Sequence, residues 1–410
     1  MVRLIEFEKK DERQRKMLKA VMDLVDELLT KYSKEETKIS TDILTEIVAM
    51  AMGSGILEYS DMFASMKKDA LPVKLNTLRL VMVELADKYW NKFGELSKFL
   101  SKSGFIPFGA SLFTFGTLSS TQRGMDLLIN KYLPEALNGN CISFGVTEPD
   151  AGTNTHKILT TAIEEGDHYR LNGSKVFISG AETRYMNVLT RIVSNGEFEG
   201  IGNLIVDTRT KGISMTPMDI AVLPDDQYIV YLDDVIVPKE NLISRPKKEE
   251  KDIGGGTFYG LNLERILLSM MVVAVGRMAI NKAVEYAKQR KVLSKSIEGY
   301  QTIEHSLSKA KIRLELANLA TKKAAETFDN KEDLEIIGAY ANMAKLTGSE
   351  AANEVCNVAT QVYGADGLNK DNDISIMYQI ARLIRIAPIN NEMVLNYIGE
   401  HLLGLPKSYR

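Results

Sequence analysis

A loop rich in hydroxyl side chains has the residue types that could hold a flat ligand. The segment VTEPDAGTNT, residues 146–155, carries Thr147, Thr153 and Thr155 around a bend made by proline and glycine. A β-prone segment follows and ends in Phe177-Ile178-Ser179. Hydroxyls and backbone N–H groups in such a loop can bind a heteroaromatic ring or a phosphate. On the residues alone, hydroxyls that only cap their own turn are the favoured alternative.

Several other chemistries lack the motifs that they require. No GxGxxG follows a β-prone segment, and neither a P-loop motif nor a GxSxG motif is present. These absences exclude a Rossmann fold, a P-loop nucleotide site and an α/β-hydrolase. The four histidines are scattered, and Cys141 and Cys356 match no zinc or CxxC spacing. We therefore expect neither a metal site nor a disulfide framework.

The hydroxyl-rich loop and the segment after it resemble two motifs of the acyl-CoA dehydrogenase family. In that family a TEPxAGS loop and an LNGxKxxIT hairpin wrap the isoalloxazine ring of FAD, and here they read TEPDAGT and LNGSKVFIS. The resemblance covers the chain from about residue 105 to the C-terminus. It implies that Phe177 flanks the flavin and that the Ser179 hydroxyl bonds to its N5 position. The residues implied to line the flavin and the pantetheine arm of the substrate are Val146, Thr147, Gly152 and Thr153.

Two strings in the C-terminal half extend this resemblance. YAKQRKVLSKSIEGYQ, residues 286–301, is similar to the family's YAxxRxxFGxxIxxxQ, whose arginine and glutamine hold the pyrophosphate and adenosine part of FAD, commonly across a subunit boundary. Arg290 and Gln301 take these positions. A guanidinium suits a pyrophosphate because its planar fork forms two charge-assisted bonds. Without the resemblance, Arg290 is better explained as a helix-end arginine that complements the helix dipole.

The second string, QVYGADG at residues 361–367, resembles the family's QxxGGxG loop. The backbone of that loop passes close to the same FAD from a neighbouring subunit, and Gln361, Gly364 and Gly367 match it. Ala365 replaces the second glycine, and Leu293-Ser294 replaces the family's Phe-Gly pair, so we expect a reshaped contact with the adenosine half. Without the resemblance, the simplest interpretation of these glycines is a turn that ends a helix.

The resemblance also implies a carboxylate base that removes the proton α to a thioester. Most members carry it as Glu in a YEGT loop, but here the corresponding segment is IAPINNEM, residues 386–393, with Pro388 at that position. A minority, resembling isovaleryl-CoA and long-chain dehydrogenases, place it in an LxLER string, and this chain has LNLER at residues 261–265. The resemblance therefore makes Glu264 the predicted base, and a carboxylate suits this task where burial beside an acyl chain raises its pKa. The alternative is a first-turn helix acid with Asn262 as cap.

Arg265 and Pro388 complete the implied substrate site. Arg265 is expected to support the active site and the CoA end of the substrate, or else to form a surface ion pair. The family binds the thioester oxygen with the backbone N–H at the position of Pro388, which has none, and losing such a donor costs roughly 3 kcal/mol of transition-state stabilisation. Three alternatives would explain a proline at this position. Either the alignment differs by one residue, so that the N–H of Ala387 or Ile389 is the donor; or another donor, such as the flavin ribityl hydroxyl, carries more of the load; or the protein is a poor dehydrogenase. A shifted alignment would also make Glu392 a rival base.

The composition is that of an ordinary globular protein. Of 410 residues, 45% are hydrophobic and 26% charged, and Lys+Arg 51 against Asp+Glu 54 gives a net charge of -3. A disordered chain is excluded, and nothing indicates a nucleic acid or an acidic membrane as partner. We read no signal peptide in the N-terminal residues, and the most apolar run, Ile266–Gly276, falls short of the ~18 residues of a membrane span. We expect a cytoplasmic protein in a reducing compartment.

The elements that must position these residues are predicted to be helices in the first and last parts of the chain. Helical apolar spacing runs from Asp11 to about Gly139, with connections predicted at Pro107 and Pro134. After residues 245–256, which read as a surface linker, helical spacing resumes. The predicted C-terminal helices cover about 261–290, 303–325, 334–362 and 373–403.

Between the helices, residues 141 to about 244 have the pattern of a β domain. Short β-prone runs alternate with turn residues, and Asn172-Gly173 is the strongest hairpin signal. Gly166-Asp167 and Lys211-Gly212 are weaker turn signals. The order predicts an α+β protein with the acyl-CoA dehydrogenase fold. Its domains would be an N-terminal helical domain (1–140), a central β-barrel-like domain (141–245) and a C-terminal four-helix bundle (246–410).

The combined hypothesis is FAD-dependent α,β-dehydrogenation of an acyl-CoA to a 2-enoyl-CoA, in fatty acid metabolism. Electrons would pass to an electron-transfer flavoprotein, and FAD contacts from two subunits imply a homo-oligomer, tetrameric or dimeric. One alternative is an acyl-CoA oxidase or flavin monooxygenase on the same fold. Another is a catalytically silent acyl-CoA or flavin-binding protein, motivated by Pro388, Ala365 and Ser294. The acyl chain length is not predicted, because the family's YGG-type loop cannot be found in the first ~100 residues.

Overall fold

Along the sequence, helices precede and follow the strands of a single large sheet. The computed structural model describes residues 10–32, 74–94, 105–220, 227–244 and 255–407. The described helices before the sheet are α1 (Glu12–Tyr32), α2 (Leu75–Lys88), α3 (Phe105–Ser119), α4 (Gln122–Leu127) and α5 (Leu133–Leu137). Those after it are α6 (Gly255–Gln289), α7 (Gln301–Asp329), α8 (Leu334–Tyr363), α9 (Asp373–Ile384) and α10 (Asn391–Tyr397). Residues 33–73 and 95–104 of the predicted helical region lie outside the described residues.

The sheet contains eight described strands in the order β6-β7-β3-β2-β4-β5-β8, with β1 beside β4. They are β1 (Ile142–Gly145), β2 (Thr161–Glu165), β3 (His168–Ser179), β4 (Tyr185–Ser194), β5 (Glu197–Asp207), β6 (Ile213–Met218), β7 (Gln227–Pro238) and β8 (Leu242–Ser244). β4 pairs in parallel with β1 and β2, and the other pairs are antiparallel. A separate short hairpin joins β9 (Lys291–Val292) to β10 (Lys295–Ser296).

Alternation along the strands builds the core of the sheet. In β7, Val230, Leu232, Val235 and Val237 are buried while most residues between them are partly or fully exposed. Side chains of successive strand residues point to opposite faces, so this alternation buries one face. The central strands β4 and β5 are buried along most of their length, and Val188 and Leu204 are inaccessible to solvent. The sheet therefore forms a rigid platform for the loops at its edges.

The hairpin predicted at Asn172-Gly173 is wrong. Both residues lie inside β3, where the pairing with β7 shifts in register. Thr160 lies against Gly173, whose φ is +150°, and a Cβ there would be 2.4 Å from the Thr160 hydroxyl, which only glycine allows. Asn172 accepts a hydrogen bond from the Asp234 N–H at 2.9 Å. The turn between β2 and β3 is formed by the weaker signal, Gly166-Asp167.

The two predicted proline connections are also wrong. Pro107 lies in the first turn of α3, where no helical hydrogen bond needs its N–H. Pro134 lies in the first turn of α5, directly after a π-helical turn at Leu128–Tyr132. The missing donor therefore falls where the helical hydrogen-bond pattern already changes. Proline marks the beginnings of helical segments here instead of the gaps between them.

The C-terminal helices pack around α6, which is apolar on nearly every side. Val272, Ala283, Leu314 and Ala352 are buried in its contact with α7 and α8. The predicted apolar run lies inside this bundle, and no helix in the described ranges is both long and apolar enough to cross a membrane. A helix buried on all faces needs no polar side, which explains its weak amphipathic pattern.

Helix α6 begins earlier than predicted. Gly255 and Gly256, assigned to the surface linker, are its first residues, whereas 245–254 lie outside the described residues. The helix crosses α3 at close range, since a Cβ on Gly260 would lie 2.5 Å from the Thr117 hydroxyl. A buried hydrogen bond from Thr257 to Asn203 of β5 fixes the same end of α6 to the sheet. This crossing orients the next two turns of α6, where the predicted base lies.

Candidate functional site

A buried ion pair joins the hydroxyl-rich loop to β3. The Lys175 Nζ lies 2.8 Å from Glu148 Oε1 and donates to the Val146 carbonyl at 3.0 Å. The Glu148 carboxylate also accepts the backbone N–H groups of Leu159 at 2.5 Å and Thr160 at 3.0 Å. Both charged side chains are buried. One cation and one carboxylate therefore join the beginning of the loop that is predicted to face the flavin to the backbone just beyond its end.

The protonation of this pair follows from burial and charge together. Burial lowers the pKa of Lys175 to about 8, although Glu148 opposes the shift. Burial alone would raise the pKa of Glu148, but the Lys175 charge and the donated hydrogen bonds outweigh it and lower that pKa. At neutral pH Lys175 is protonated and Glu148 ionised.

The threonine hydroxyls do not cap their own turn. Asn154, not a threonine, caps the short helical turn at Thr155–Lys157 through the His156 N–H. The Thr153 hydroxyl accepts a hydrogen bond from the Asn390 side chain at 2.9 Å, so it contacts the C-terminal helices instead. A Cβ on Gly152 would meet no atom of the described residues within 4 Å, which leaves space beside this backbone in the part of the chain that the structure describes. The loop is therefore free to approach a ligand.

Phe177 is held in a strained conformation with its ring in solvent. Its φ is +59° and 56% of the residue is exposed. An L-residue in this region costs about 1–3 kcal/mol, and such strain occurs at functional sites. Val176, the preceding residue, donates its N–H to the Thr147 carbonyl at 2.9 Å, and the pairing of β3 with β7 is irregular here. Ser179, two residues on, accepts a hydrogen bond from Gln227 at 2.5 Å.

Glu264 is not a first-turn helix acid. Because α6 begins at Gly255, Glu264 lies more than two turns inside the helix, and Asn262 is not a cap but accepts a hydrogen bond from Arg265 at 2.8 Å. The Glu264 Oε2 is buried and has no hydrogen-bond partner among the described residues. Burial raises the pKa of Glu264 to about 7, against the influence of Arg265. A carboxylate in this state is suited to accept a proton near neutral pH.

Arg265 is a buried residue and does not form a surface ion pair. It is 8% exposed, and burial lowers the pKa of its guanidinium while Glu264 opposes that shift. The Tyr397 hydroxyl, at the end of α10, is close enough that Arg265 affects its pKa, which burial raises. Arg265 therefore acts electrostatically on both Glu264 and the Tyr397 hydroxyl at the end of α10.

The segment around Pro388 contains donors without acceptors. The Ala387 N–H donates to the Leu383 carbonyl at 2.9 Å, so it is already used. The N–H groups of Ile389 and Asn390 have no acceptor anywhere in the described parts of the chain. Glu392, the rival base, is exposed in the first turn of α10, whereas the Oε2 atom of Glu264 is buried. Donors for a thioester oxygen are thus present immediately after Pro388.

A second cluster forms an open groove of about 590 Å³ between α6, the β9–β10 hairpin, α7 and the end of α8. Arg290, Gln361 and Gly364 all line it, as the resemblance implies, and Tyr286 stacks on Tyr363 at 4.1 Å beside them. Gly364 ends α8 with a φ of +65°. None of the described residues that line this groove belongs to the 146–155 loop or to β3.

Gln301 and Gly367 border this groove without lining it. Gln301 is the first residue of α7, and its neighbours Tyr300 and Thr302 are lining residues. Gly367 is buried, and a Cβ there would lie 3.0 Å from the Thr360 backbone, so this glycine serves close chain packing. Leu293, which takes the place of the phenylalanine in the family's Phe-Gly pair, is 92% exposed with a φ of +56° at the rim.

Comparisons with known proteins show the family of this chain. A model of the acyl-CoA dehydrogenase middle domain matches residues 143–235, and a model of the acyl-CoA dehydrogenase C-terminal domain matches residues 257–403. An acyl-CoA dehydrogenase of Mycobacterium tuberculosis is 40% identical over 293 residues, which cover 70% of this chain and 74% of that protein. The chain belongs to the acyl-CoA dehydrogenase family.

Two more proteins are similar to this chain. A caffeyl-CoA reductase–Etf complex subunit of Acetobacterium woodii is 32% identical over 268 residues, covering 64% of this chain and 69% of that protein. The structure of butyryl-CoA dehydrogenase from Megasphaera elsdenii superimposes with a TM-score of 0.76 at 22% identity, covering 97% of this chain and 99% of the other. The fold predicted from the sequence is therefore confirmed as the acyl-CoA dehydrogenase fold.

The sequence did not indicate every residue of the site in this acyl-CoA dehydrogenase family member. Lys345 of α8, which binds the segment around Pro388, and Asn390, which contacts Thr153, were not predicted. The one available signal was a lysine within a segment of α8 that carries no other charge, Ala341-Asn342-Met343-Ala344-Lys345-Leu346. In the described residues no group of three or more His, Cys, Asp or Glu side chains could hold a metal ion.

Proposed function

We propose that this protein catalyses FAD-dependent α,β-dehydrogenation of an acyl-CoA thioester, with Glu264 as the base. The observation that carries the proposal is the half-buried Glu264 side chain, whose buried Oε2 has no hydrogen-bond partner among the described residues and whose pKa burial raises to about 7. Arg265, buried next to it, would bind near the CoA end of the substrate. A base that is desolvated and unpartnered removes a proton more readily than a solvated one.

The residues of two clusters fit FAD. In the first, Phe177 presents an exposed ring, and the Ser179 hydroxyl lies on the same strand two residues away. In the second, Arg290 would bind the pyrophosphate with Gln301, Gln361, Gly364 and Gly367 around the adenosine half. When bound, FAD supplies the hydride acceptor. The loop residues that would line the flavin and the pantetheine arm are Val146, Thr147, Gly152 and Thr153.

The second-cluster residues are proposed to serve the FAD of a neighbouring subunit. The groove lined by Arg290 contains no described residue of the first cluster, which suits contacts shared between two chains. Helix α7 also carries an apolar stripe, Ile312, Leu316 and Leu319, at 60%, 60% and 58% exposure. Residues three and four apart lie on one face of a helix, and an exposed apolar stripe favours association. We propose a homo-oligomer, dimeric or tetrameric.

Replacing Leu316 by glutamate is expected to break this association. A charge in the centre of the stripe would have to be buried without a partner when two copies meet. Light scattering after gel filtration should show a shift to monomer, with less FAD retained per chain because Arg290 no longer reaches its neighbour's cofactor. Leu316→Met keeps the apolar surface and should keep the mass of the wild type. An unchanged mass for Leu316→Glu would exclude the stripe as the interface.

The rate of flavin reduction is expected to follow the ionisation of Glu264. Only the carboxylate form accepts the α proton, and kcat/KM reports groups of the free enzyme. Because burial raises the pKa of Glu264 to about 7, kcat/KM should rise with pH up to about 7 and then level off. Glu392→Gln should leave the inflection in place. A profile without inflection between pH 5.5 and 8 would contradict Glu264 as the base.

The reverse reaction, reduction of a 2-enoyl-CoA, is a second candidate. The similar protein of Acetobacterium woodii is named a caffeyl-CoA reductase–Etf complex subunit. A Glu264 pKa of about 7 leaves both the acid and the carboxylate populated at neutral pH, so the same residue could return a proton to the α carbon. That name also supports an electron-transfer flavoprotein as the proposed partner.

The electron acceptor that reoxidises the reduced flavin distinguishes the proposed dehydrogenase from the alternative enzymes on this fold. Acyl-CoA-dependent reduction of an artificial electron acceptor under nitrogen, with slow oxygen uptake in air, is the expected result. Oxygen uptake that matches substrate consumption would identify an oxidase or monooxygenase. Binding of acyl-CoA and FAD with no turnover in either direction would identify a silent binding protein.

A further inference from the structure

Lys345 is a buried cation whose contacts lie in one short segment. It is 0% exposed in the middle of α8, and no carboxylate lies within ion-pair distance of it in the described residues. Its Nζ donates to the Ile389 carbonyl, to the Asn391 side chain at 2.8 Å and to the Arg385 carbonyl at 3.5 Å. Burying a charge is costly unless it is well bound, so these three acceptors account for its position.

The charges that face Lys345 connect it to the proposed active site. Burial, followed by the nearby Arg265 guanidinium, lowers the pKa of Lys345 to about 8. Arg385 acts in the same direction, whereas the carboxylates of Glu392 and Glu350 raise it. The side chain remains a cation at neutral pH. Arg265 neighbours both this cation and Glu264.

The peptide between Ile389 and Asn390 has a cation at one end and a vacant donor at the other. Lys345 binds the carbonyl, and the Asn390 N–H of the same peptide has no acceptor among the described residues. A cation on a carbonyl oxygen withdraws electron density and strengthens the N–H as a donor. The Asn390 side chain fixes this peptide, since it donates to Thr153 at 2.9 Å and accepts the Met393 N–H at 2.8 Å.

We propose that Lys345 is a positioning residue that, by binding the Ile389 carbonyl, holds and polarises the 389–390 peptide so that the Asn390 N–H donates to the substrate's thioester oxygen. This donor takes over from the N–H that Pro388 lacks. The inference rests on the proposed function. As Glu264 takes the α proton, the electron pair of that C–H bond moves toward the thioester, and the Asn390 N–H stabilises the charge that develops on its oxygen.

The test is the carbonyl stretch of a bound 2-enoyl-CoA, labelled with carbon-13 at the thioester and measured by infrared difference spectroscopy on the FAD-loaded enzyme. The wild type should lower this frequency relative to free ligand, and Lys345→Met should lose at least half of the shift. The rate of flavin reduction should fall by up to about 10²-fold, which is the effect of removing such a donor altogether. Binding of the matched thioether, which has no carbonyl, should change less than about twofold, because the peptide polarisation acts only on that oxygen.

A second pair of variants tests the donor itself and does not depend on Lys345→Met being folded. Asn390 has a φ of -67°, which proline adopts without strain. Asn390→Pro and Asn390→Ala both lose the side-chain contacts with Thr153 and Met393, but only proline also loses the N–H. The carbonyl shift should persist in the alanine variant and vanish in the proline variant.

The outcomes separate this inference from the proposed function. A wild-type carbonyl shift retained in both Lys345→Met and Asn390→Pro overturns the inference, even if acyl-CoA still reduces the flavin. If Lys345→Met lost thioester and thioether binding equally, the role of Lys345 would be purely structural, and this result would also overturn the inference. A shift that depends on Lys345 in an enzyme whose flavin is never reduced would support the inference and contradict the proposed function. A wild type that binds no thioester would contradict both.

Discussion

Glu264→Gln is expected to slow flavin reduction by acyl-CoA by roughly 10²- to 10⁴-fold, the usual contribution of a positioned base. The amide has nearly the same shape but cannot accept a proton. Because the Glu264 Oε2 is buried without a partner among the described residues, the substitution breaks no hydrogen bond of that atom. Acyl-CoA affinity and FAD content should therefore remain close to those of the wild type. Rapid-mixing absorbance of the flavin under nitrogen measures the rate.

The matched control is Glu392→Gln, which removes the rival carboxylate from an exposed position in α10. It should reduce flavin at the wild-type rate. If Glu392→Gln were inactive and Glu264→Gln active, the base would lie in the segment after Pro388, and the assignment by the LNLER string would be wrong.

Glu264→Gln should also change how stability depends on pH. Burial raises the pKa of Glu264 from 4.5 to about 7 in the folded protein, so the folded state binds more protons than the unfolded state between these values. The contribution of Glu264 to the free energy of unfolding is therefore fully present below pH 4.5 and is lost as pH rises through about 7. The variant should lack this component. Urea unfolding at several pH values measures it.

Lys175→Met is expected to destabilise the protein by about 3–5 kcal/mol and to release FAD, because removing one partner leaves a buried charge unpaired. Glu148 is 5% exposed and would retain its charge opposite an apolar side chain. The Val146 carbonyl would lose its donor as well. The loop predicted to face the flavin is held by these contacts, so its conformation should loosen before the fold is lost. Urea unfolding and flavin absorbance after gel filtration measure the two effects.

A double variant tests whether the pair, and not the lysine alone, is responsible. Lys175→Met combined with Glu148→Gln removes both charges and should recover a large part of the lost stability. A double variant less stable than Lys175→Met would mean that Glu148 stabilises the loop mainly through the N–H groups of Leu159 and Thr160.

The family and its fold were predictable because they depend on local patterns. The sequence directly shows the helical spacing, the alternating pattern of the strands and the TEPDAGT and LNGSKVFIS strings. The hairpin at Asn172-Gly173 failed because the same dipeptide suits a strand irregularity, and the contact with Thr160 that selects it is not local. The meeting of Arg290, Gln361 and Gly364 in one groove agrees with the resemblance, although their roles toward FAD remain a proposal.

The arrangement after Pro388 could not be predicted from the sequence. Which N–H groups are free depends on the hydrogen bond of Ala387 to Leu383 and on the cation of Lys345, which is 44 residues from Ile389 in the chain. Likewise, the interpretation of Glu264 as a first-turn acid depended on where α6 begins, and that beginning is set by packing of α6 against α3 and the sheet. Contacts distant in sequence decide both points.

The most direct test of the proposed function is an anaerobic titration of the purified, FAD-loaded protein with short, branched and long acyl-CoAs, followed by flavin absorbance. We expect one class of acyl-CoA to bleach the flavin of the wild type and Glu264→Gln to bind the same ligand without bleaching. A flavin that stays oxidised with every acyl-CoA would contradict the proposed dehydrogenation, and a flavin that bleaches equally in Glu264→Gln would contradict Glu264 as the base.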